Sequence, residues 1–487
     1  MLQYQPVILN DVWHETHDER TGSVRLAILL RAASLVLCDI LALMVAASIG
    51  YLSWAHMVLH QSLLEYLPLL PLLMLFPASF AAAGLYPGFG SGAVETLRRL
   101  VHCTNASFVA VAACSFAFKA DDNYSRMTVG IAWLAALVLV PLFRFLIVSK
   151  AKQHRWWSEP VIVFGRRQDV ARVLRALHRA FALGYKVAGV VSHDELAVPD
   201  VVEGIPVLGG TEVLERLHHF GIRTVLVWDE GAAQEGLFEA LHHYFSNVVL
   251  IRDGRSLPIE HIRLRNLGGV LGIEFKSDLL SRRNAAIKRC IDIAVGTLLL
   301  IAALPFISVF GLLVELVSPG AIFFTQQREG FRGKCFTVWK IRTMCPDAEQ
   351  RLAEYLASDP ELSRQWYRNV KLMRDPRTIP LLGSFMRRFS IDELPQLFNV
   401  ITGTMSLVGP RPFPEYHLRR FRPDFRQLRQ AVRPGLTGMW QVMVRSDGLL
   451  DEQEEYDTYY IRNWSLWLDI YLLARTIFAI LGSKGAR

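Results

Sequence analysis

The sequence has no CxxC pair, no zinc-finger spacing, no basic-helix or RNA-binding signature, and few charges for its size. Only 20% of its 487 residues are charged, against about 25% in an ordinary soluble domain, so part of the chain is built for lipid. The six cysteines stand singly, half of them in or beside apolar runs. That excludes a disulfide framework and points to reduced thiols facing a cytosol. The formal net charge is +8. Without a nucleic-acid signature, this surplus suits anionic headgroups or phosphate-bearing substrates better than nucleic acid. The polar opening stretch does not read as a cleaved signal peptide.

Apolar residues are abundant, at 52%, and the mean hydropathy is +0.26. Four apolar runs fill the first 150 residues, over 26–51, 67–85, 101–118 and 129–148. Each approaches the ~20 residues needed to cross hydrocarbon. Arg20, Arg25 and Arg31 stand at the start of the first run, and Arg98 and Arg99 mark the second loop. Lys150, Lys152 and Arg155 follow the fourth run, whereas the first loop has no Lys or Arg and the third, at Asp121 and Asp122, is near neutral. The positive-inside rule predicts a four-helix transmembrane bundle over 1–155 with both ends in the cytoplasm.

From Pro160 the pattern changes to short β-branched runs, 161–164, 185–191, 224–228 and 248–251, alternating with amphipathic stretches. This predicts βαβ units and a Rossmann-like cytoplasmic domain over 156–280. Its first strand–helix turn, Phe164-Gly165-Arg166-Arg167-Gln168-Asp169, keeps one glycine where a dinucleotide site needs three. The expectation is a domain without a bound cofactor, with dimerisation or nucleotide sensing both open to it. His218-His219 and His242-His243 are adjacent pairs. They would point to different helix faces, as surface or packing residues rather than metal ligands.

A fifth apolar run covers about 288–318. Lys288 and Arg289 flank its start, and Arg328, Arg332, Lys334 and Lys340 follow its end. A spanning helix would put one basic cluster outside, against the charge rule. Pro305 falls mid-run and removes a backbone donor. A re-entrant membrane helix that turns near Pro305 satisfies both observations. Asp292 would then sit at the interface beside the two cations. The closing stretch 464–481 reads equally as an interfacial helix or a core helix.

Asp392 and Glu393 form an adjacent carboxylate pair behind Arg387 and Arg388. Capping is the plainer account: Ser390-x-x-Glu393 fits a capping box. Pro395 would lie too deep for Ser390 as cap, but within the first turn if Asp392 caps. One carboxylate is explained by capping and two are not. The pair also suits Mg²⁺ with a diphosphate, and an ionised carboxylate there can attack phosphorus. Lys340 and Arg342 alternate with apolar residues, so a strand would show both on one face. Arg411 stands between two prolines, a rigid mount for a guanidinium. Arg433-Pro-Gly435 is a turn signal before Trp440-Gln441.

The resemblance lies in these residues. Lys288-Arg289-x-x-Asp292, Phe336-Thr-Val-Trp-Lys340-Ile-Arg-Thr-Met344, Asp375-x-Arg377-Thr378, Ser390-x-Asp-Glu-Leu-Pro-Gln396, Asn399-Val400, Met405-Ser-Leu-Val-Gly-Pro-Arg-Pro412, Arg433-Pro-Gly-x-Thr-Gly438 and Trp440-Gln441 occur in order. Over 281–487 the chain thereby resembles the polyisoprenyl-phosphate hexose-1-phosphate transferases, which are monotopic phosphoglycosyl transferases. The bundle and Rossmann-like domain resemble those of the long-form members. The resemblance implies transfer of a hexose 1-phosphate from a UDP-hexose to undecaprenyl phosphate, at the cytoplasmic face of a bacterial inner membrane, opening exopolysaccharide or O-antigen synthesis. It implies Asp392 as nucleophile and Glu393 as the Mg²⁺ ligand beside it. It implies phosphate or substrate contacts from Lys340, Arg342, Asp375, Arg377, Arg387, Arg388, Arg411, Arg433 and Gln441. Membrane lipid is the implied surroundings, and homodimer formation stays open. The stretch 346–374 leans toward galactose over glucose. Thr404 departs from the acid that many members carry there. So does the run after Gln441, which bears on sugar choice.

Two other readings compete. A membrane-anchored NAD-dependent dehydratase would need GxGxxG and a Tyr-x-x-x-Lys pair; Tyr367-x-x-x-Lys371 lies far from the sheet domain. A non-catalytic membrane scaffold would not need the intact Asp392-Glu393 pair.

Overall fold

The computed structural model describes residues 21–117, 125–151, 154–179, 183–192, 201–209, 213–214, 217, 222–228, 241–251, 262–266, 271–275, 282–358, 377–444 and 450–481. Asp121, Asp122, His218, His219, Tyr367, Lys371 and Asp375 lie outside them. The chain forms two compact units, Met1–Arg252 and Asp253–Arg487.

In the first unit, α1 (Thr21–Gly50) packs along α4 (Arg126–Ala151), with α2 (Leu75–Ala82) and α3 (Ala93–Ala117) completing the helical part. A Cβ on Gly50 would stand 2.5 Å from the Thr128 carbonyl, so the two long helices close only over a glycine. Among the described residues, three helices are long and apolar enough to cross a membrane: Leu26–His56, Arg126–Ala151 and Arg283–Val317. The four expected runs therefore differ in form. The second is split into a 3₁₀ segment, Leu67–Met74, and α2, because Pro71 denies the helix a donor. The third lies in α3, whose first turns carry Glu95, Arg98 and Arg99.

A buried ion pair links α1 to α4. Arg144 Nη2 donates to Asp39 Oδ2 at 2.7 Å, and the Tyr86 hydroxyl donates to the same oxygen at 2.6 Å. Asp39 is 0% exposed and Arg144 5%. Removing one partner strands the other charge, so Asp39→Asn or Arg144→Met is expected to cost about 3–5 kcal/mol. Asp39→Leu with Arg144→Met should recover most of that. Thermal unfolding in detergent checks both; equal losses in single and double variants would refute the pairing.

The sheet has the order β3-β4-β2-β1-β5-β6, built from Glu159–Phe164 (β1), Tyr185–Val191 (β2), Val201–Val202 (β3), Ile205–Gly209 (β4), Thr224–Trp228 (β5) and Asn247–Ile251 (β6). All pairings are parallel except β3 with β4. The four strands expected from sequence are present; β3 has only two residues, and β4 is interrupted by Pro206 and ends on Gly209, so neither stood out as a β-branched run. After β1 comes α5 (Arg167–Arg179). At the turn between them, a Cβ on Gly165 would meet Trp228 Cβ at 2.9 Å, so the one glycine serves strand-end packing. Arg31, read as an interfacial charge, is instead buried and donates to the Trp157 carbonyl at 2.7 Å. His242 and His243 are exposed.

In the second unit, a hairpin of Ile262–Asn266 (β7) and Leu271–Phe275 (β8) precedes α6, Arg282–Val317. This helix runs for 36 residues with Pro305 inside it. Helical structure runs without a break through Pro305, which denies the helix one backbone donor. Next come the antiparallel strands Phe323–Glu329 (β9) and Cys335–Ile341 (β10), then α7 (Ala348–Ser358), α8 (Leu382–Arg388) and α9 (Gln396–Thr402). Ser406–Val408 (β11) pairs in parallel with Gly435–Thr437 (β12) around α10 (Pro423–Gln430). Helices α11 (Met439–Met443), α12 (Leu450–Arg462) and α13 (Leu466–Leu481) close the unit.

Both ends of α6 are seated on this domain. Near the start, Arg289 donates to the Val400 and Ile401 carbonyls at 2.6 Å each, capping α9. Asp292 Oδ1 accepts from Leu407 N at 3.0 Å. Lys288 pairs with Asp469, which also accepts from Tyr460 and Trp464. Near the far end, Val314 is buried with Ile341, Ile379 and Met386. The middle shows Leu298, Ile301, Phe306, Val309 and Leu312 to the outside. Helix α13 is a core helix on one face, with Leu468 and Leu472 buried, and apolar but exposed at Ile470 and Ile477.

Candidate active site

The carboxylate pair owes its placement to an unusual backbone. Ser390 adopts a left-handed conformation, φ 56° and ψ 26°, a strained state for a non-glycine. Ile391–Glu393 then form one 3₁₀ turn, and α9 begins only after Pro395. Neither Ser390 nor Pro395 makes a side-chain cap. The expected cap at Asp392 is therefore replaced by a separate turn, because Pro395 itself occupies the cap position. Both acids are released from capping duty.

Glu393 faces two cations. Lys340 Nζ donates to its Oε1 at 2.6 Å and Arg411 Nη2 to the same oxygen at 2.9 Å. Among the described residues Oε2 has no such partner. Lys340 Nζ also stands 3.9 Å from Asp392 Oδ2, too far for a hydrogen bond. Lys340 is aimed by its strand: Asn399 Oδ1 accepts from Trp339 N at 3.3 Å, and Asn399 Nδ2 donates to the Thr337 carbonyl at 2.8 Å. Thr404, the departure from the family pattern, bonds to Asn399 as well.

Asp392 is 7% exposed. Burial raises its pKa to about 6; Glu393 adds to the rise, while Lys340, Arg387 and Arg411 oppose it. For Glu393, burial also pushes upward, but Arg411 and Lys340 outweigh it and hold the carboxyl well below the usual range. The environment thus pushes the two neighbouring acids apart, a mark of a functional carboxylate pair.

Arg411 is carried by a loop whose prolines supply no N–H; Gly409 N donates to the Thr437 carbonyl at 2.9 Å, and the other contacts are made to the loop's carbonyls. Gly435 N donates to the Pro410 carbonyl at 2.9 Å and Arg328 Nη1 to that of Pro412 at 2.9 Å, while Tyr460 Oη, whose one proton is shared with Asp469, lies 3.0 Å from the Val408 carbonyl. Arg429 takes the Arg411 carbonyl.

The structure brings Asp392, Glu393, Lys340, Arg387 and Arg411 together and gives the other candidates different surroundings. Arg387 Nε donates to Thr343 Oγ1 at 3.0 Å, and Arg388 lies over the Phe389 ring at 5.7 Å. Arg342 was expected to share a face with Lys340. It falls one residue past β10 and turns to the Ser318 carbonyl at the end of α6. Arg433 donates to the Gly403 carbonyl at 2.9 Å, and Gln441 Nε2 to that of Leu436 at 3.2 Å. The Arg377 carbonyl accepts from Cys345 N at 2.8 Å. Among the described residues no three His, Cys, Asp or Glu side chains cluster as metal ligands. Two carboxylates are what Mg²⁺ takes when phosphate oxygens complete its shell, and Asp392 with the open Oε2 of Glu393 fits that donor set.

A carboxylate pair among cations, on a domain assembled around a long apolar helix, has the chemistry that a phosphate-handling enzyme needs. Residues 283–483 match the family model described as bacterial sugar transferase, and residues 81–227 one described as a CoA-binding domain. The undecaprenyl-phosphate galactose phosphotransferase of Salmonella typhimurium is 32% identical over 370 residues, 75% of this chain and 77% of that protein. Other relatives are named UDP-glucose:undecaprenyl-phosphate glucose-1-phosphate transferase. That of Escherichia coli is 35% identical over 264 residues, 53% of each chain. That of Xanthomonas campestris is 29% identical over 431 residues, 84% of this chain and 85% of that protein. The chain belongs to the bacterial sugar transferase family.

Proposed function

We propose that this chain transfers a hexose 1-phosphate from a UDP-hexose to undecaprenyl phosphate through a covalent aspartyl intermediate. The observation that carries the reading is Asp392 itself: a buried carboxylate with no cap to make, beside an acid that two cations keep ionised. An Asp392 oxygen attacks the β-phosphorus, the bond from that phosphorus to the bridging oxygen breaks, and UMP leaves. A phosphate oxygen of undecaprenyl phosphate then attacks the same phosphorus and frees the aspartate. Lys340, Arg387 and Arg411 offset the diphosphate charge, and Glu393 orients Lys340 and Arg411. Mg²⁺ held by Asp392 and Glu393 would add charge neutralisation at the phosphates.

The polar domain holds both ends of α6, and a domain cannot lie on both sides of a bilayer. That supports a helix entering and leaving one face, with the site at the level where lipid and aqueous substrates meet. The basic flanks of α1, α4 and α6 support the cytoplasmic face of a bacterial inner membrane and a multi-pass chain. Galactose is our favoured sugar. It rests on the stretch 346–374 and on the identity to the long-aligned relatives, 32% to the galactose-named one of Salmonella against 29% to the glucose-named one of Xanthomonas.

The test is UMP release by purified full-length protein given a panel of UDP-hexoses with Mg²⁺. One hexose should give a stoichiometric burst without lipid and continuous turnover once undecaprenyl phosphate is added. Release that requires lipid even in the first turnover would sink the covalent step. No release with any UDP-hexose, from protein shown to be folded, would sink the transferase reading in favour of the scaffold.

A further inference from the structure

Arg429 is a buried cation that neither the carboxylate chemistry nor the sequence patterns account for. It is 9% exposed, and its partner Asp457, on α12, is 2% exposed. One guanidinium nitrogen pairs with Asp457 Oδ2 and the other donates to the Arg411 carbonyl. Three rings wall it in: Phe413 at 5.2 Å, Phe425 at 5.5 Å and Phe421 at 5.6 Å. A planar fork in such a cage has one orientation, which a lysine would not share.

The contact bears on the site through a single residue. Arg411 offers its carbonyl to Arg429 and its guanidinium to Glu393, at 2.9 Å. Pro410 and Pro412, the residues on either side of Arg411, have no N–H to donate. The carbonyl anchor therefore fixes where the Arg411 side chain starts. We infer that Arg429, clamped by Asp457, is a positioning residue that sets the Arg411 guanidinium against Glu393. This rests on the transferase reading for its kinetic consequence, but not for its geometry.

A buried ion pair can often be exchanged for apolar residues without loss of stability. Arg429→Met with Asp457→Leu keeps the cage filled and deletes the anchor. In single-turnover UMP release the double variant should be slower by on the order of 10²-fold, the usual effect of a misplaced catalytic group. Introduced into Arg411→Ala, the same pair of changes should cost no more than about threefold further, because the residue they position is gone. Multiplying losses in the two backgrounds would overturn the proposal and leave a structural role. Should the double variant fail to fold, Arg429→Lys keeps the charge but not the fork, and must show the same loss in the native background and the same absence of loss beside Arg411→Ala. A crystal or cryo-electron structure of either variant gives a readout free of activity. Arg411 should have left Glu393; an unmoved pair refutes the inference. If the unaltered protein releases no UMP while the variant structure shows Arg411 displaced, the transferase reading falls and the positioning role stands.

Discussion

Asp392→Asn is expected to abolish UMP release, by about 10⁴- to 10⁶-fold, the scale seen when a covalent nucleophile is removed. The same variant should be more stable than the parent at neutral pH. Burial raises the folded pKa of Asp392 to about 6, above the ordinary aspartate value of about 3.9. A raised acid binds its proton more tightly folded than unfolded, so its ionised form opposes folding. The penalty is absent below the unfolded value, grows as pH rises toward about 6, and is complete above it. Asparagine, neutral at every pH, escapes this penalty. Denaturant unfolding at pH 7.5 and at pH 4 checks this. A gain of ~1–3 kcal/mol at the higher pH that vanishes at the lower one marks an acid held ionised against its surroundings. A loss at pH 7.5 would mean that Asp392 is a stabilising partner of Lys340 rather than a poised nucleophile.

This balance also explains what could be read from the sequence. The β-branched runs 161–164, 185–191 and 224–228 sit in a sheet buried on both faces, so their pattern survives folding as a continuous apolar stretch. The pair Asp392-Glu393 was visible because two adjacent acids behind two arginines exceed what a helix start needs. The long-range partners were not visible. Asp39 meets Arg144 across 105 residues and Arg429 meets Asp457 across 28. An arginine about to be buried against a distant carboxylate has the same local surroundings as a solvated one. Lys288, Arg289 and Asp292 illustrate the point. Sequence placed them near the foot of an apolar helix, where interfacial charges were the expectation. Folding uses them to bind Asp469, the end of α9 and β11. Arg342 fails for a narrower reason: strand alternation holds only while the strand lasts, and β10 ends at Ile341.

Lys340→Met should move the pH dependence of the reaction as well as slow it. Lys340 is the foremost cation opposing the burial of the Asp392 charge, and it stands 3.9 Å from Oδ2. At that distance and an effective dielectric near 20, the attraction is at most about 4 kcal/mol, or roughly three pH units. Without it the nucleophile should ionise between about one and three units higher than in the parent. The parent is expected to lose UMP-release rate tenfold per unit below about pH 6, where Asp392 takes up its proton. In Lys340→Met that limb should begin at about pH 7 to 9. At pH 7 the variant is slow partly for want of an ionised nucleophile, and raising the pH should recover that part. Arg411→Met is the comparison. Its guanidinium opposes the Asp392 shift less than Lys340 does, yet it holds Glu393 just as directly. It should lower the rate at every pH with a smaller displacement of the limb. Single-turnover profiles from pH 5 to 9 separate the two. An acidic limb that stays put in Lys340→Met would show that the group titrating there is not Asp392, and the assignment of the nucleophile would have to move with it.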